Sequence, residues 1–229
     1  MTMKTYPGSL FLYEEILLLA LRDREGTVPL GTMYEYAIGG ALLAELLLSG
    51  RIRLDSSRRK FVQLISAESL DDTLLDECLQ SIAQVTRRRT LQTWVAKFAS
   101  TGQLKHRIAD QLIQHGILRA GQDKVFGMFN RRIYPEVDPL PEKRSIDRVR
   151  EAVFSDSISV EPRTVALVSL AYNSGLLKLV LRKEELKLRK ARIERIITGE
   201  LTGRAVKDAI KSVQAATTIA AIIPAITSV

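Results

Sequence analysis

Two arginines, Arg131 and Arg132, stand in the stretch FGMFNRRIYP (126–135) beside Phe126, Met128, Phe129, Ile133 and Tyr134. Cations next to aromatic and aliphatic side chains can engage a surface that is anionic and oily at once. Each Lys or Arg close to an anionic bilayer contributes about 1 kcal/mol, and an inserted apolar tip adds burial in proportion to its area. The same apolar residues also suit a hairpin packed on its own domain or against a second copy of the chain. Lys105 and Arg107, at the start of a helical pattern just upstream, bring two further cations near this hairpin. Basic residues recur at 51–60 and in the run Arg87, Arg88, Arg89; any one such run is by itself a solvated face. Several of them around one apolar hairpin carry more weight.

Catalysis has few candidates. His106 and His115 are the only histidines and sit nine residues apart, without the i, i+4 partner of a helical zinc pair. Both read as surface or capping residues. No G-x-S-x-G, G-x-x-x-x-G-K-[ST] or strand-borne G-x-G-x-x-G occurs. Glu14 with Glu15, and Asp71 with Asp72, read as isolated helix-start or surface carboxylates. The expectation is a protein that is not an enzyme and that has no cofactor, no metal site and no catalytic residue.

Composition agrees with a binding role. The chain has 229 residues, 46% apolar and 26% charged, an ordinary globular mixture. Its 34 Lys and Arg against 26 Asp and Glu leave a formal charge of +8, which favours anionic partners. A single cysteine, Cys78, lies in an apolar run, reads as a small buried hydrophobe and suits a reducing cytosol. The apolar run near the amino terminus is interrupted by Glu14 and Glu15, which argues against a secretory leader. The segment 209–229 is apolar but broken by Pro224, and reads as a core helix, with a tail anchor as the alternative.

The elements that must position these residues are mostly helices. Residues 10–21 are apolar nearly all round, as a helix buried at the centre of a helical domain would be. Thr32 with Glu35 gives a capping-box pattern opening a helix through Leu48, closed by Gly50. Residues 51–55 and 60–65 form a two-stranded unit. Asp71 or Asp72 caps a helix burying Leu74, Leu75, Cys78, Leu79 and Ile82; Leu91, Trp94, Val95 and Phe98 mark the next; Leu104, Ile108, Leu112 and Ile113 another, stopped at Gly116. Residues 117–130 then read as strand, turn and strand with the bend at 121–123, and the proline-rich 134–143 as a linker. Pro162 opens an apolar helix over 164–172, and 176–197 reads as one longer helix laced with charge.

The stretches SLFLYEEILLLALRDREG (9–26), ALLAELLLSGRIRLD (41–55), LLDECL (74–79), HGIL (115–118) and VALVSLAYNSGLL (165–177) together resemble the Golgi phosphoprotein-three family, also called GPP34. The resemblance is collinear over essentially the whole chain, so 1–229 is expected to be a single GPP34-like domain. It implies a mainly α fold, a compact helical domain with one or two small β-hairpins, one of them protruding. For eukaryotic members it implies peripheral binding to Golgi membranes through phosphatidylinositol 4-phosphate, recognition of protein tails and self-association. The headgroup pocket it implies has its tryptophan at Leu30 or Gly31 and its arginines at Gly39, Gly102 and Lys105, with a further basic residue at Arg107. Of these only Lys105 and Arg107 are cations here. A lysine is a point charge without the bidentate fork of arginine, which lowers phosphate selectivity. The chain begins only a few residues before its first helix, as expected of a short, bacterial-type member.

The reading is therefore a peripheral membrane protein on the cytosolic face of a membrane. Lys105, Arg107, Arg131 and Arg132 would meet an anionic phospholipid or phosphoinositide surface; Phe126, Met128, Phe129, Ile133 and Tyr134 would be the membrane or oligomer hairpin. A homo-oligomer and a protein client remain open as partners. The alternatives are an adaptor for protein tails, or a nucleic-acid-binding protein in which the helix at 104–114 and its hairpin imitate a winged helix; that helix offers few base-reading side chains, which disfavours nucleic acid.

Overall fold

A computed structural model describes residues 10–22, 25–125 and 129–201. The first helix, α1 (Leu12–Ala20), is buried along its entire length, as an element without a polar face must be. It is surrounded by α2 (Tyr34–Leu48), α5 (Leu104–Gln114), α6 (Leu140–Phe154), α7 (Pro162–Asn173) and the single turn α8 (Leu177–Val180). Between α2 and α5 lie a two-stranded antiparallel unit, β1 (Ile52–Leu54) with β2 (Val62–Leu64), and the helices α3 (Thr73–Ala83) and α4 (Leu91–Ala99). After α5 comes the antiparallel pair β3 (Gly121–Val125) and β4 (Phe129–Ile133), and after α8 the short α9 (Lys183–Leu188) and α10 (Lys190–Ile197). The fold is mainly α with two small hairpins.

Local signals account for most boundaries. Asp72 caps α3 by accepting a hydrogen bond from the Leu75 amide at 2.8 Å, and Gly50 and Gly116 adopt positive φ just past α2 and α5. Pro162 occupies the first position of α7, where its missing N–H costs nothing. Leu74, Leu75, Cys78, Leu79 and Ile82 are buried, as is Trp94. Burial pushes the Cys78 thiol up to about 12, so it is an inert core group. Helix α2 packs closely on α4: a Cβ at Gly39 would lie 2.7 Å from the Val95 carbonyl oxygen. No arginine can stand at Gly39.

Five expectations are corrected. Thr32 forms no capping box; its hydroxyl donates to the Pro29 carbonyl at 3.1 Å and the cap of α2 is Met33. Gly121 to Asp123 are not a bend but the start of β3, paired in register with Ile133, Arg132 and Arg131. The pairing runs as far as Val125 with Phe129, and residues 126–128 lie outside the described residues. Residues 134–143 are no linker, since Tyr134 and Pro135 are buried and Leu118 bridges to Glu136. The long helix over 176–197 is three pieces, because Leu181 and Arg182 are extended and Arg189 departs from helical geometry. Glu14 and Glu15 are neither isolated nor exposed; both are buried in the core. The apolar segment 209–229 lies outside the described residues.

Candidate functional site

The first turn of α5 and strand β4 face each other across an open cleft of about 590 Å³ lined by Gln103, Lys105, His106, Asn130, Arg131 and Arg132. A second cleft of about 300 Å³ adjoins it, with Lys105, Arg131 and Arg132 on one side and the loop 27–32 with Tyr34 and Glu35 of α2 on the other. Backbone contact fixes this arrangement. Gly26, at φ +60°, lies so close to Tyr134 and Pro135 that a Cβ there would sit 2.3 Å from the Pro135 nitrogen, and the Tyr134 amide donates to the Gly26 carbonyl at 2.9 Å. Only glycine fits where the loop crosses the end of β4.

Three cations thus converge, and among the described residues only Arg131 of the three is in an ion pair. Arg131 is paired across the hairpin with Asp123 at 2.8 Å. Among the described residues no carboxylate lies within ion-pair distance of Lys105 or Arg132. Burial and then the Arg131 charge hold the Lys105 ammonium below its ordinary pKa, and Glu35 offsets this only in part. Burial, followed by the charges of Lys105 and Arg132, lowers the His106 imidazole likewise. The Nδ1 of that ring meets the Tyr134 hydroxyl in a short hydrogen bond. In both Lys105 and His106 burial is the larger cause and the neighbouring cations add to it.

The sequence-derived site residues separate into three groups. Lys105, Arg131 and Arg132 come together as expected. Arg107 does not join them: two residues along a helix it points elsewhere, and it pairs with Glu77 at 2.7 Å. Tyr134, expected in the membrane or oligomer hairpin, is a core residue, 2% exposed, because the Gly26 loop lies over its backbone and its hydroxyl meets His106. Ile133 is half-buried and packs over Gly121. Phe126 and Met128 lie outside the described residues, and Phe129 is described only as the first residue of β4.

Sequence reasoning missed His106 and Asn130 as lining residues, and Gly26 as the tie beneath them. His106, read as a surface or capping group, is the hydrogen-bond partner of Tyr134. His115, read as a surface or capping residue, is the C-cap of α5, and its Nδ1 lies 3.7 Å from the buried Glu14 carboxylate. Leu30 and Gly31, where the resemblance puts an aromatic pocket wall, line the second cleft, and Leu30 is fully exposed at 102%. Gly102, the other aligned pocket position, is exposed and lines neither cleft. Among the described residues no group of His, Cys, Asp and Glu is arranged to hold a metal ion, and no helix is long and apolar enough to cross a membrane.

Comparison with known proteins bears on what this cleft serves. A relative in Eremothecium gossypii, vacuolar protein sorting-associated protein 74, is 26% identical over 210 residues, covering 77% of this chain. The chain spans 63% of the length of that relative. The sequence model of the Golgi phosphoprotein 3 (GPP34) family matches residues 12–213, from the buried first helix past the last described one. The chain belongs to the Golgi phosphoprotein 3 (GPP34) family.

Proposed function

We propose that the chain is a peripheral membrane protein, without catalytic activity, that seats the phosphate of an anionic lipid headgroup in the cleft between α5 and β4. Lys105 and Arg132 meet the phosphate, Arg131 shares its charge between Asp123 and the ligand, and Gln103 and Asn130 offer hydrogen bonds. One observation carries this reading: three cations line one open cleft, and among the described residues two of them have no ion-pair partner. Leu30 and Met33, exposed on the adjoining loop, add apolar contact with the bilayer at the lip of the clefts. Phe126, Met128 and Phe129 supply the hairpin's share, to lipid or to a second copy of the chain. With a lysine in place of an arginine fork and no tryptophan at Leu30 or Gly31, selection rests on charge more than on headgroup shape, so phosphatidylinositol 4-phosphate is one acceptable ligand among several anionic lipids. The reading treats 1–229 as one domain acting on the cytosolic face.

Flotation with vesicles tests it. The protein is expected to float with vesicles containing phosphatidylserine or phosphatidylinositol 4-phosphate, to remain behind with pure phosphatidylcholine, and to lose flotation as salt rises, since exposed charges are screened within about 10 Å at 0.1 M. Equal flotation with neutral vesicles would remove the electrostatic basis. Retained flotation of a Lys105→Ala, Arg132→Ala variant would remove the assignment to this cleft.

A further inference from the structure

On another part of the molecule the chain turns back on itself twice. Gly175, at φ +80°, ends α7 and leads into α8; after an extended Leu181 and Arg182, α9 and α10 return, and α10 packs on α7. These pieces enclose a groove of about 530 Å³, within the ~300–1,000 Å³ typical of small-molecule sites. Its floor is apolar: Leu177 and Ile193 are buried and Leu186 partly so. Its rim carries Lys178, Lys187 and Lys190, all exposed, and no carboxylate is among its described lining residues. Lys190 is paired with Glu194 at 3.8 Å, and Glu194 is outside the lining.

The groove differs from the other described clefts. The α5 cleft is lined by polar and charged groups alone, and the hollow against Leu179 and Val180 mixes Arg22 with Glu25 and Glu142. Only an apolar floor under a rim of one charge sign complements a molecule with an anionic end and a hydrocarbon end. The walls are also held in place beforehand. Glu185 of α9 is bridged to Arg150 of α6 at 2.7 Å and accepts the Arg182 amide at 2.8 Å, while Arg192 of α10 donates to the Ala152 carbonyl at 3.1 Å. A ligand entering a fixed groove forgoes the ordering cost that a mobile one would impose.

We propose that this groove binds a single-chain anionic amphiphile, with its carboxylate or phosphate on the three lysines and its hydrocarbon tail over Leu177, Leu186 and Ile193. The site is independent of the α5 cleft. Calorimetric titration with dodecanoate below its micelle concentration tests it, with dodecyltrimethylammonium as the same tail under the opposite charge. One dodecanoate is expected per chain, with no saturable binding of the cationic amphiphile. Lys187→Glu with Lys190→Glu should weaken dodecanoate at least tenfold while the thermal midpoint stays in place; Tyr172→Glu, a carboxylate at the exposed lip, should weaken it as well. Lys105→Ala with Arg132→Ala should leave it unchanged even where vesicle flotation is lost, which separates this site from the headgroup cleft. Vesicles doped with lysophosphatidate identify the source: flotation sensitive to Lys187→Glu with Lys190→Glu means the head is taken from a bilayer, and insensitivity together with dodecanoate binding means the free amphiphile. Equal binding of both amphiphiles, or undiminished binding of dodecanoate to both rim variants, would overturn the proposal.

Discussion

Two regions of this molecule handle charge in opposite ways. Around the first turns of α1 the acids Glu14, Glu15, Glu45 and Asp72 are buried, and each is met from within the fold. Glu45 accepts the Leu12 amide at 2.5 Å and both Arg163 nitrogens, at 2.7 and 3.0 Å; Asp72 takes the Tyr13 hydroxyl at 2.6 Å and the Gln111 amide at 2.9 Å. Glu15 takes the Ser145 hydroxyl at 2.6 Å and a short bond from Arg148. In the cleft between α5 and β4, by contrast, Lys105 and Arg132 form no ion pair among the described residues, and Glu35 offsets the charge of Lys105 only in part. Charge that is answered internally holds the fold together, whereas charge left unanswered at a concave surface is available to a ligand. The interior network joins α1 to α2, α3, α5, α6 and α7; the cleft joins nothing until something anionic enters it.

The comparison breaks most visibly if an interior partner can be deleted without loss. Arg163→Ala removes the cation from Glu45 and draws one away from Glu15, and breaking a buried pair from one side costs about 3–5 kcal/mol. Urea unfolding should show that loss, with vesicle flotation of the remaining folded protein unchanged. Glu14 gives the next effect. Burial, opposed in part by the Phe11 amide and reinforced by Asp72, Glu45 and Glu15, pushes its carboxyl up to about 7; His115 stands at 3.7 Å on the α5 side. A raised carboxyl pKa stabilises the folded state below the unfolded value near 4.5, and this contribution is lost as pH rises through about 7. At about 1.4 kcal/mol per pH unit the span is of the order of 3 kcal/mol. Glu14→Gln should flatten the decline in stability between pH 5 and 8; an unchanged profile would mean that the carboxyl ionises freely.

How much of this was readable beforehand depends on the reach of each interaction. The Asp72 cap, the Gly116 stop and the Pro162 start are local, and their residue types reveal them in sequence. Glu14 and Glu15 are not local: Ser145 and Arg148 lie more than a hundred residues away from Glu15, and a pair of glutamates at a helix start looks identical whether water or Arg148 meets it. The α9 and α10 break at Arg189 hides in a charge pattern that suits one helix or two. In the cleft, composition pointed to Lys105, Arg131 and Arg132, but proximity in sequence wrongly recruited Arg107, which helical geometry turns toward Glu77. Tyr134 misled for a different reason, since strand alternation says nothing about the Gly26 loop lying across it.

The cleft predictions are smaller and sharpen the same contrast. Lys105→Ala with Arg132→Ala should leave stability within about 0.5 kcal/mol, as surface changes do. At about 1 kcal/mol per cation near an anionic surface, membrane affinity should fall by roughly 30-fold. A large loss of stability instead would place these cations with the structural charges. Because Lys105 and His106 are held low by burial and by neighbouring cations, anion binding should draw the His106 pKa upward; proton resonances of its ring, followed against pH with and without inositol phosphate, report this directly.

Arg107 supplies the smallest and most discriminating effect. It shares α5 with Lys105, carries the same charge and stands two residues away, so a protein that attracted anionic surfaces merely by net charge would use both equally. Its guanidinium instead spends its charge on Glu77 at 2.7 Å, with both side chains partly exposed. Arg107→Ala should therefore cost no more than about 1 kcal/mol in urea unfolding. Vesicle flotation should stay close to that of the unaltered protein, because the change lies outside the cleft. If Arg107→Ala and Lys105→Ala reduce flotation to the same extent, the membrane is sensing the total charge of the chain, and the cleft loses its standing as a site.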